Sequence, residues 1–310
     1  MTNETNRYKS PGALKSAFER RYRSEPARVL VMIMQRFAAR VCAHFDQAVI
    51  KGGLGLELRL ETPRTTEDVD LIIAGSKDLD QRLSEAGQLD LGDFLRFMVM
   101  PDKTKSTFQV PGMPYPGKRY LIQAFFADRK PVATQQPFRR FKLEISIREP
   151  AAFDEYLSVW DGFEQVPPAQ LRVYDIYWQL AEKVHAYTDP RHRDAVNSKM
   201  WRPRDLVDIC RCATSPSIVI DAEKQHNALV QTFSRRKKAD SSLHDLPPEL
   251  PGLPSTWIPS FEGLVVEAAL PWKTPAQAHK VASDLIDPVL GERARGLWSP
   301  RSGWAGTDSP

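Results

Sequence analysis

The amino-acid sequence predicts an α+β chain, with strands in its first half and a mainly helical second half. Three observations predict it. The segments Arg119–Phe126 and Phe141–Ile147 are rich in aliphatic and aromatic residues. In the second, Leu143, Ile145 and Ile147 alternate with Lys142, Glu144 and Ser146, the period of a half-buried strand. Upstream, Leu30, Ile33, Phe37 and Val41 recur at helical spacing. Beyond Pro150 and Pro167-Pro168 the apolar pattern becomes helical. The expected organisation is an extension over residues 1–26, a sheet-bearing domain over 27–165, and a mainly helical domain over 166–310 that ends in a loose tail.

Composition narrows the class. The chain has 310 residues, 42% hydrophobic and 26% charged, which fits a globular protein of two domains and excludes wholesale disorder or a fibrous repeat. No window has the apolar length of a membrane span: Val29–Ile33 is soon broken by Gln35, Arg36 and Arg40. The first ten residues are polar, so no secretory signal is expected. Three cysteines make no disulfide framework, and Cys210 and Cys212 lack a Cys-x-x-Cys spacing. A reducing cytoplasm is the expected compartment. The net charge of +4 permits a nucleic-acid partner without demanding one. Basic residues gather at Arg20–Arg23, Arg139-Arg140, Arg191–Arg204 and Arg235–Lys238, and any single run reads first as a solvated face.

Taken in order, residues 1–10 read as a disordered start and Ser10–Phe45 as helical, with Pro26 suited to a first helical turn. Ala48–Ile50 is a short strand. Leu54–Leu60 alternates like a strand, but its place between a glycine turn and the next strand favours a short helix. Val69, Leu71, Ile72 and Ile73 form a strand that opens with Asp68 and Asp70. Residues 76–100 carry Leu79, Leu83, Leu89 and Leu91, then Phe94, Leu95, Phe97 and Met98, and predict an amphipathic helix. Lys103–Gly117 is a loop with strand pieces. A helical stripe runs through Leu171, Tyr174, Tyr177 or Trp178, Ala181, Val184 and Tyr187. Further helices are expected over Pro203–Cys210, Ile218–Thr232 and Thr274–Leu290, with a proline-rich span at Pro247–Pro259 and a loose tail from Trp298.

Chemistry-bearing residues cluster around Lys51–Ile73. Residues i and i+2 of a strand share a face, so Asp68 and Asp70 present two carboxylates together. Hard oxygen pairs of this kind suit Mg²⁺, which is held by one or two carboxylates plus substrate phosphates; the alternative is a turn or cap aspartate. Gly52-Gly53 is a flexible turn that aims backbone N–H groups at an anion before a helix. Glu144 sits mid-strand among apolar residues, where burial penalises it unless it is paired or metal-bound. Asp205 and Asp208 share a helix face, and an Arg204–Asp208 ion pair is the ordinary reading there. Arg64 is either a phosphate-binding cation or a solvated loop residue, and His185 reads as a packed helix histidine.

The ordered set Lys51-Gly52-Gly53, Arg64-Thr65-Thr66-Glu67-Asp68-Val69-Asp70, Lys142-Leu143-Glu144-Ile145, Glu182-Lys183 and Arg204-Asp205-Leu206-Val207-Asp208 resembles the AbiEii family over about residues 27–230. These are nucleotidyltransferase-like toxins of type IV toxin–antitoxin systems, in the DNA polymerase β-like superfamily. The resemblance implies that 27–165 is a nucleotidyltransferase catalytic domain with a small mixed sheet, with the active site in the cleft before the helical domain. It implies that Gly52 and Gly53 cradle the triphosphate of an NTP, and that Asp68, Asp70 and Glu144 hold Mg²⁺ or Mn²⁺. Lys183 and Asp205 would complete the catalytic set, with Arg64, Lys183 and Asp208 touching the nucleotide. The implied acceptor is RNA, at the 3′ end of tRNA, and the implied partner an antitoxin protein or one encoded nearby. Two rivals are nucleotidylation of a protein hydroxyl and a catalytically idle domain that binds nucleotide, RNA or a partner. In this sequence Gly53 stands where the superfamily usually has serine, and the stretch after about 233 has no counterpart.

Overall fold

The structure, a computed structural model, describes residues 8–60, 66–75, 77–109, 116–131, 135–150, 152–195, 201–267 and 270–307. They form two compact units. The first runs through Leu58 and from Thr66 to Tyr174; the second comprises Arg59, Leu60 and the chain from Asp175.

The first unit contains α1 (Pro11–Arg21), α2 (Pro26–His44), β1 (Ala48–Lys51), α3 (Gly52–Glu57), β2 (Asp68–Ile73), α4 (Leu79–Ala86), β3 (Leu95–Pro101), β4 (Thr107–Phe108), β5 (Gly117–Phe126), β6 (Arg139–Ile147), β7 (Phe153–Ser158) and β8 (Ala169–Tyr174). The strands make one mixed sheet in the order β3-β5-β6-β2-β1-β8-β7, with β4 beside β5. Here β2 runs parallel to β6 and β1 parallel to β8, while the remaining pairs are antiparallel. Alternation assigns the faces. Val69, Leu71 and Ile73 of β2, with Leu143, Ile145 and Ile147 of β6, join the core made with α1 and α2. Asp68, Asp70 and Glu144 therefore lie on the opposite face. From α1, Leu14 and Phe18 are buried in that core.

Two elements differ from expectation here. Residues 76–100 are not one helix: α4 stops at Ala86 and β3 begins at Leu95. Gly87 caps the helix where it packs on β3, a close approach at which a Cβ would press on the Phe97 carbonyl oxygen at 2.7 Å. Gly92 and Phe94 then take positive φ (70° and 53°), turning the chain tightly around Asp93. The helical stripe predicted from Leu171 is likewise two elements. Residues 169–174 are β8, and helix begins only at Ile176, where the Asp175 side chain caps the N–H groups of Tyr177 and Trp178. The first unit thus continues past Pro167-Pro168, and β7 and β8 add two strands to its sheet.

A buried charge cluster fastens α2 to this turn. Arg36 and Arg40, one helical turn apart, and Asp93 all have fully buried side chains. Arg36 Nε donates to Asp93 Oδ2 at 2.6 Å and Arg40 Nη2 to Oδ1 at 2.5 Å. The remaining guanidinium donors reach the carbonyls of Leu89, Leu91, Leu95 and Pro167. Burial pushes the Asp93 carboxyl up, but the Arg40 and Arg36 charges and the Leu95 N–H outweigh it and hold it below the usual carboxylate range.

The second unit contains α5 (Ile176–Thr188), the short α6 (Pro190–Arg193), α7 (Pro203–Thr214), α8 (Ala222–Ala239), α9 (Ile258–Glu267), α10 (Pro275–Leu290), and a hairpin of β9 (Ala294–Ser299) and β10 (Gly303–Thr307). Thr274 and Gln277 form a capping box on α10, with Pro275 in its first turn as the sequence predicts. Asp221 caps α8, which carries the basic run Arg235–Lys238 on its last turns. From Trp298 to Thr307 the chain belongs to this hairpin and is not a loose end. Its indoles explain the difference: Trp298 Nε1 donates to the Ala213 carbonyl at 2.8 Å and Trp304 Nε1 to that of Leu285 at 3.0 Å, with the rings 5.5 Å apart. Similarly, the span after Pro247 holds α9, with Trp257 and Phe261 fully buried. Cys42, Cys210 and Cys212 are buried free thiols, and burial pushes the Cys212 thiol up to about 12.

Two outcomes follow for stability. Asp93→Ala leaves two buried guanidinium groups without their carboxylate and is expected to destabilise the first unit by about 3–5 kcal/mol, read as a lower urea midpoint. In the second unit His185, packed against Phe233 and His244, is pushed down to about 3, chiefly by burial and then by Arg236. The unfolded chain binds a proton near pH 6.5 that the folded one refuses until about 3, so stability falls as pH drops through that window, by up to about 1.4 kcal/mol per unit. His185→Gln is expected to flatten the decline in urea midpoint between pH 7.5 and 5.5; an equal decline in both proteins contradicts this.

Candidate active site

Strand register assembles the first group of candidate residues. On the parallel pair β2/β6, Asp70 stands opposite Glu144 and Asp68 opposite Lys142. Lys51, the last residue of β1, is the partner of Asp70, and Arg119 of β5 is the partner of Glu144. One row across the sheet therefore reads Lys51, Asp70, Glu144, Arg119: two carboxylates flanked by two cations. Asp68 is exposed one step along the same face, beside exposed Lys142. Arg119 Nε donates to Glu144 Oε1 at 2.7 Å.

Directly after Lys51 the chain turns at Gly52, with φ +64°, a conformation that favours glycine. The turn needs glycine for a second reason: a Cβ there would collide with Oδ2 of Asp70. The Asp70 carboxylate thus packs against bare backbone, and Gly52 and Gly53 start the buried α3. The helix preferred for the segment after the glycines is present, and it begins at the glycines themselves. Thr66 is buried just ahead of β2, whereas Arg64 lies outside the described residues.

The second group lies in the second unit. Lys183 Nζ on α5 is 2.9 Å from Asp205 Oδ1 and 2.8 Å from Asp208 Oδ2, both on α7. Asp208 is fully buried and also faces Arg211 Nη1 at 3.5 Å. The i,i+4 pair expected with Arg204 does not form, since Arg204 is exposed while Asp208 points inward to Lys183 and Arg211. Several cations of the basic runs are partnered: Arg191 with Asp189 and Asp240, Arg235 with Glu182, and Lys237 with Asp245.

The donor chemistry suits a divalent cation that arrives with phosphate. Asp68 and Asp70 offer hard oxygens on one accessible face, and Mg²⁺ needs only one or two protein carboxylates beside substrate phosphates. Among the described residues no three His, Cys, Asp or Glu side chains converge as a preformed metal cage, and Glu144 is engaged by Arg119. Sequence reasoning missed Arg119 and Arg211. The i+3 spacing from Asp208 to Arg211 was the available signal for one; for Arg119 none existed, because pairing register is not written in a single strand.

The sequence profile described as "Nucleotidyl transferase AbiEii toxin, Type IV TA system" matches residues 36–285. The chain belongs to the AbiEii family. It is accordingly a nucleotidyltransferase of the type IV toxin class, and the family match spans both units of this AbiEii chain. No curated protein matches it. Two solved structures from Helicobacter pylori are similar in part. One is JHP933, at 17% identity and TM-score 0.40 over 83% of this chain and 92% of that one. The other, described as a candidate nucleotidyltransferase, matches at 18% identity and TM-score 0.40 over 83% of this chain and 95% of its own. Among the described residues no helix is long and apolar enough to cross a membrane.

The Lys183 triad makes its own test. Lys183→Met leaves buried Asp208 without its nearest cation and is expected to cost about 3 kcal/mol, seen as a lowered urea midpoint of the second unit. An unchanged midpoint would show that the lysine does not hold the two carboxylates in place.

Proposed function

We propose that this AbiEii protein transfers a nucleotidyl group from an NTP to a hydroxyl of RNA, the 3′ end of tRNA being the acceptor. Asp68 and Asp70 would hold Mg²⁺ or Mn²⁺ at the nucleotide, joined by Glu144 once Arg119 releases it. The observation that carries this reading is the register of β2 between β6 and β1, which sets Asp70 beside Glu144 on one side and against Gly52 on the other. When bound, the cation neutralises charge on the phosphoryl oxygens as the bond order changes. Asp68 and Asp70 would set where that cation sits. Gly52 and Gly53, lacking side chains, leave the turn after β1 open to the triphosphate. The acceptor oxygen bonds to the α-phosphorus, the bond from that phosphorus to the bridging oxygen breaks, and pyrophosphate leaves. The acceptor's proton passes to a carboxylate of the row. The family resemblance gives Lys183, its ammonium fixed by Asp205 and Asp208 within the second unit, the role of a point charge for the departing phosphates. Asp208 serves the nucleotide through that lysine.

RNA is favoured as acceptor by the exposed cations on the sheet face that bears the carboxylates, Arg140 and Lys142 on β6. The type IV toxin class makes an antitoxin the expected genetic partner.

Radiolabelled NTPs, Mg²⁺ and total RNA are expected to yield labelled RNA that migrates as tRNA. Asp70→Ala is expected to lose that labelling by at least about a hundredfold, as removal of an electrostatic stabiliser does, while keeping the wild-type urea midpoint. Label that appears only in protein would overturn the RNA acceptor, and undiminished labelling by Asp70→Ala would overturn the metal assignment.

A further inference from the structure

Three features of the first unit converge on one guanidinium. Gly117, the first residue of β5, is buried, and a Cβ there would collide with the Phe108 ring of β4. With that space open, the Phe108 ring lies under Arg119, whose guanidinium carbon is 4.8 Å from the ring centroid. On its other side Arg119 donates to Glu144 at 2.7 Å, both side chains being less than a third exposed (28% and 31%). A planar guanidinium held between an aromatic face and a carboxylate is geometrically committed in a way that a flexible ammonium is not. Glu144 in turn stands in register with Asp70.

We propose that Arg119 is a positioning residue that competes with the divalent cation for Glu144. This rests on the reading of Asp68 and Asp70 as the metal-holding pair. With Arg119 in place, the row Lys51–Asp70–Glu144–Arg119 carries two charges of each sign, and Asp68 has Lys142 beside it. The three carboxylates are matched by three cations without metal, and a cation entering alone meets a carboxylate already occupied by a like-charged group. A metal that enters with a triphosphate brings phosphate oxygens that can take the Arg119 guanidinium in place of Glu144, freeing that carboxylate for the ion. Arg119 thereby weakens binding of the free ion and ties metal loading to nucleotide loading.

The test is Mn²⁺ titration of the full chain, followed by the loss of the free-ion electron paramagnetic resonance signal at fixed ionic strength. Arg119→Gln is expected to bind Mn²⁺ about two- to fivefold more tightly than wild type, the range a partly exposed ion pair supports. Phe108→Leu, which removes one wall of the clamp and keeps the guanidinium, is expected to fall between them. Arg119→Gln/Glu144→Gln is expected to lose the gain. Equal or weaker Mn²⁺ binding by both single variants, in proteins whose binding Asp70→Asn abolishes, overturns the competition and leaves the metal pair standing. Binding that Asp70→Asn does not touch overturns the metal pair and the competition together.

Discussion

The fold of the first unit depends on a carboxylate that has no route to water. Asp93 is enclosed with Arg36 and Arg40, and an isolated charge there would cost several kcal/mol of desolvation. What makes the burial tolerable is saturation: both arginines spend their other donors on main-chain carbonyls of the 89–95 turn and of Pro167. The cluster therefore does for irregular backbone what a ladder does for strands. It fixes where α4 gives way to β3, and β3 pairs with β5, which pairs with β6. Glu144 lies on the third strand of that series, yet it inherits its geometry from the anchor at Asp93.

What the sequence disclosed followed from periodicity and from local chemistry. β6, α7 and α10 are legible because their apolar residues repeat at one period and the two helices open on prolines, and β2 and β5 because they are aliphatic or aromatic runs. Residues 76–100 misled because leucines at 79, 83, 89 and 91 fit one helical stripe, while the break lay in Gly87, Gly92 and a phenylalanine at positive φ. The β8–α5 junction misled for the opposite reason: Leu171, Val173 and Tyr174 are core residues under either period, and only the Asp175 cap separates strand from helix. The C-terminal hairpin was hidden since glycine and serine read as looseness, and two indole N–H groups reaching distant carbonyls leave no local trace.

The site residues show the same division. Asp68, Asp70 and Glu144 could be named from spacing and from the penalty on a mid-strand acid. Their counter-ions could not, since Lys51 meets Asp70 and Arg119 meets Glu144 only through the pairing of four strands. Lys183 was visible as a helix cation, but its closeness to Asp205 and Asp208 is a fact of how α5 meets α7. Charges that look solvated in one dimension turn out to be neutralised in pairs, in both units, which is why a net charge of +4 says little about either face.

The glycine at the turn after β1 has a genetic consequence. Every missense change of that codon adds at least a Cβ, and a Cβ at position 52 meets the Asp70 carboxylate as well as an unfavourable φ. Gly52 and Asp70 thus behave as one mutational target spread over two codons. In a population under pressure to silence this toxin, survivors carrying changes at the glycine should arise about as readily as those carrying changes at the aspartate, though the glycine offers no functional group to lose.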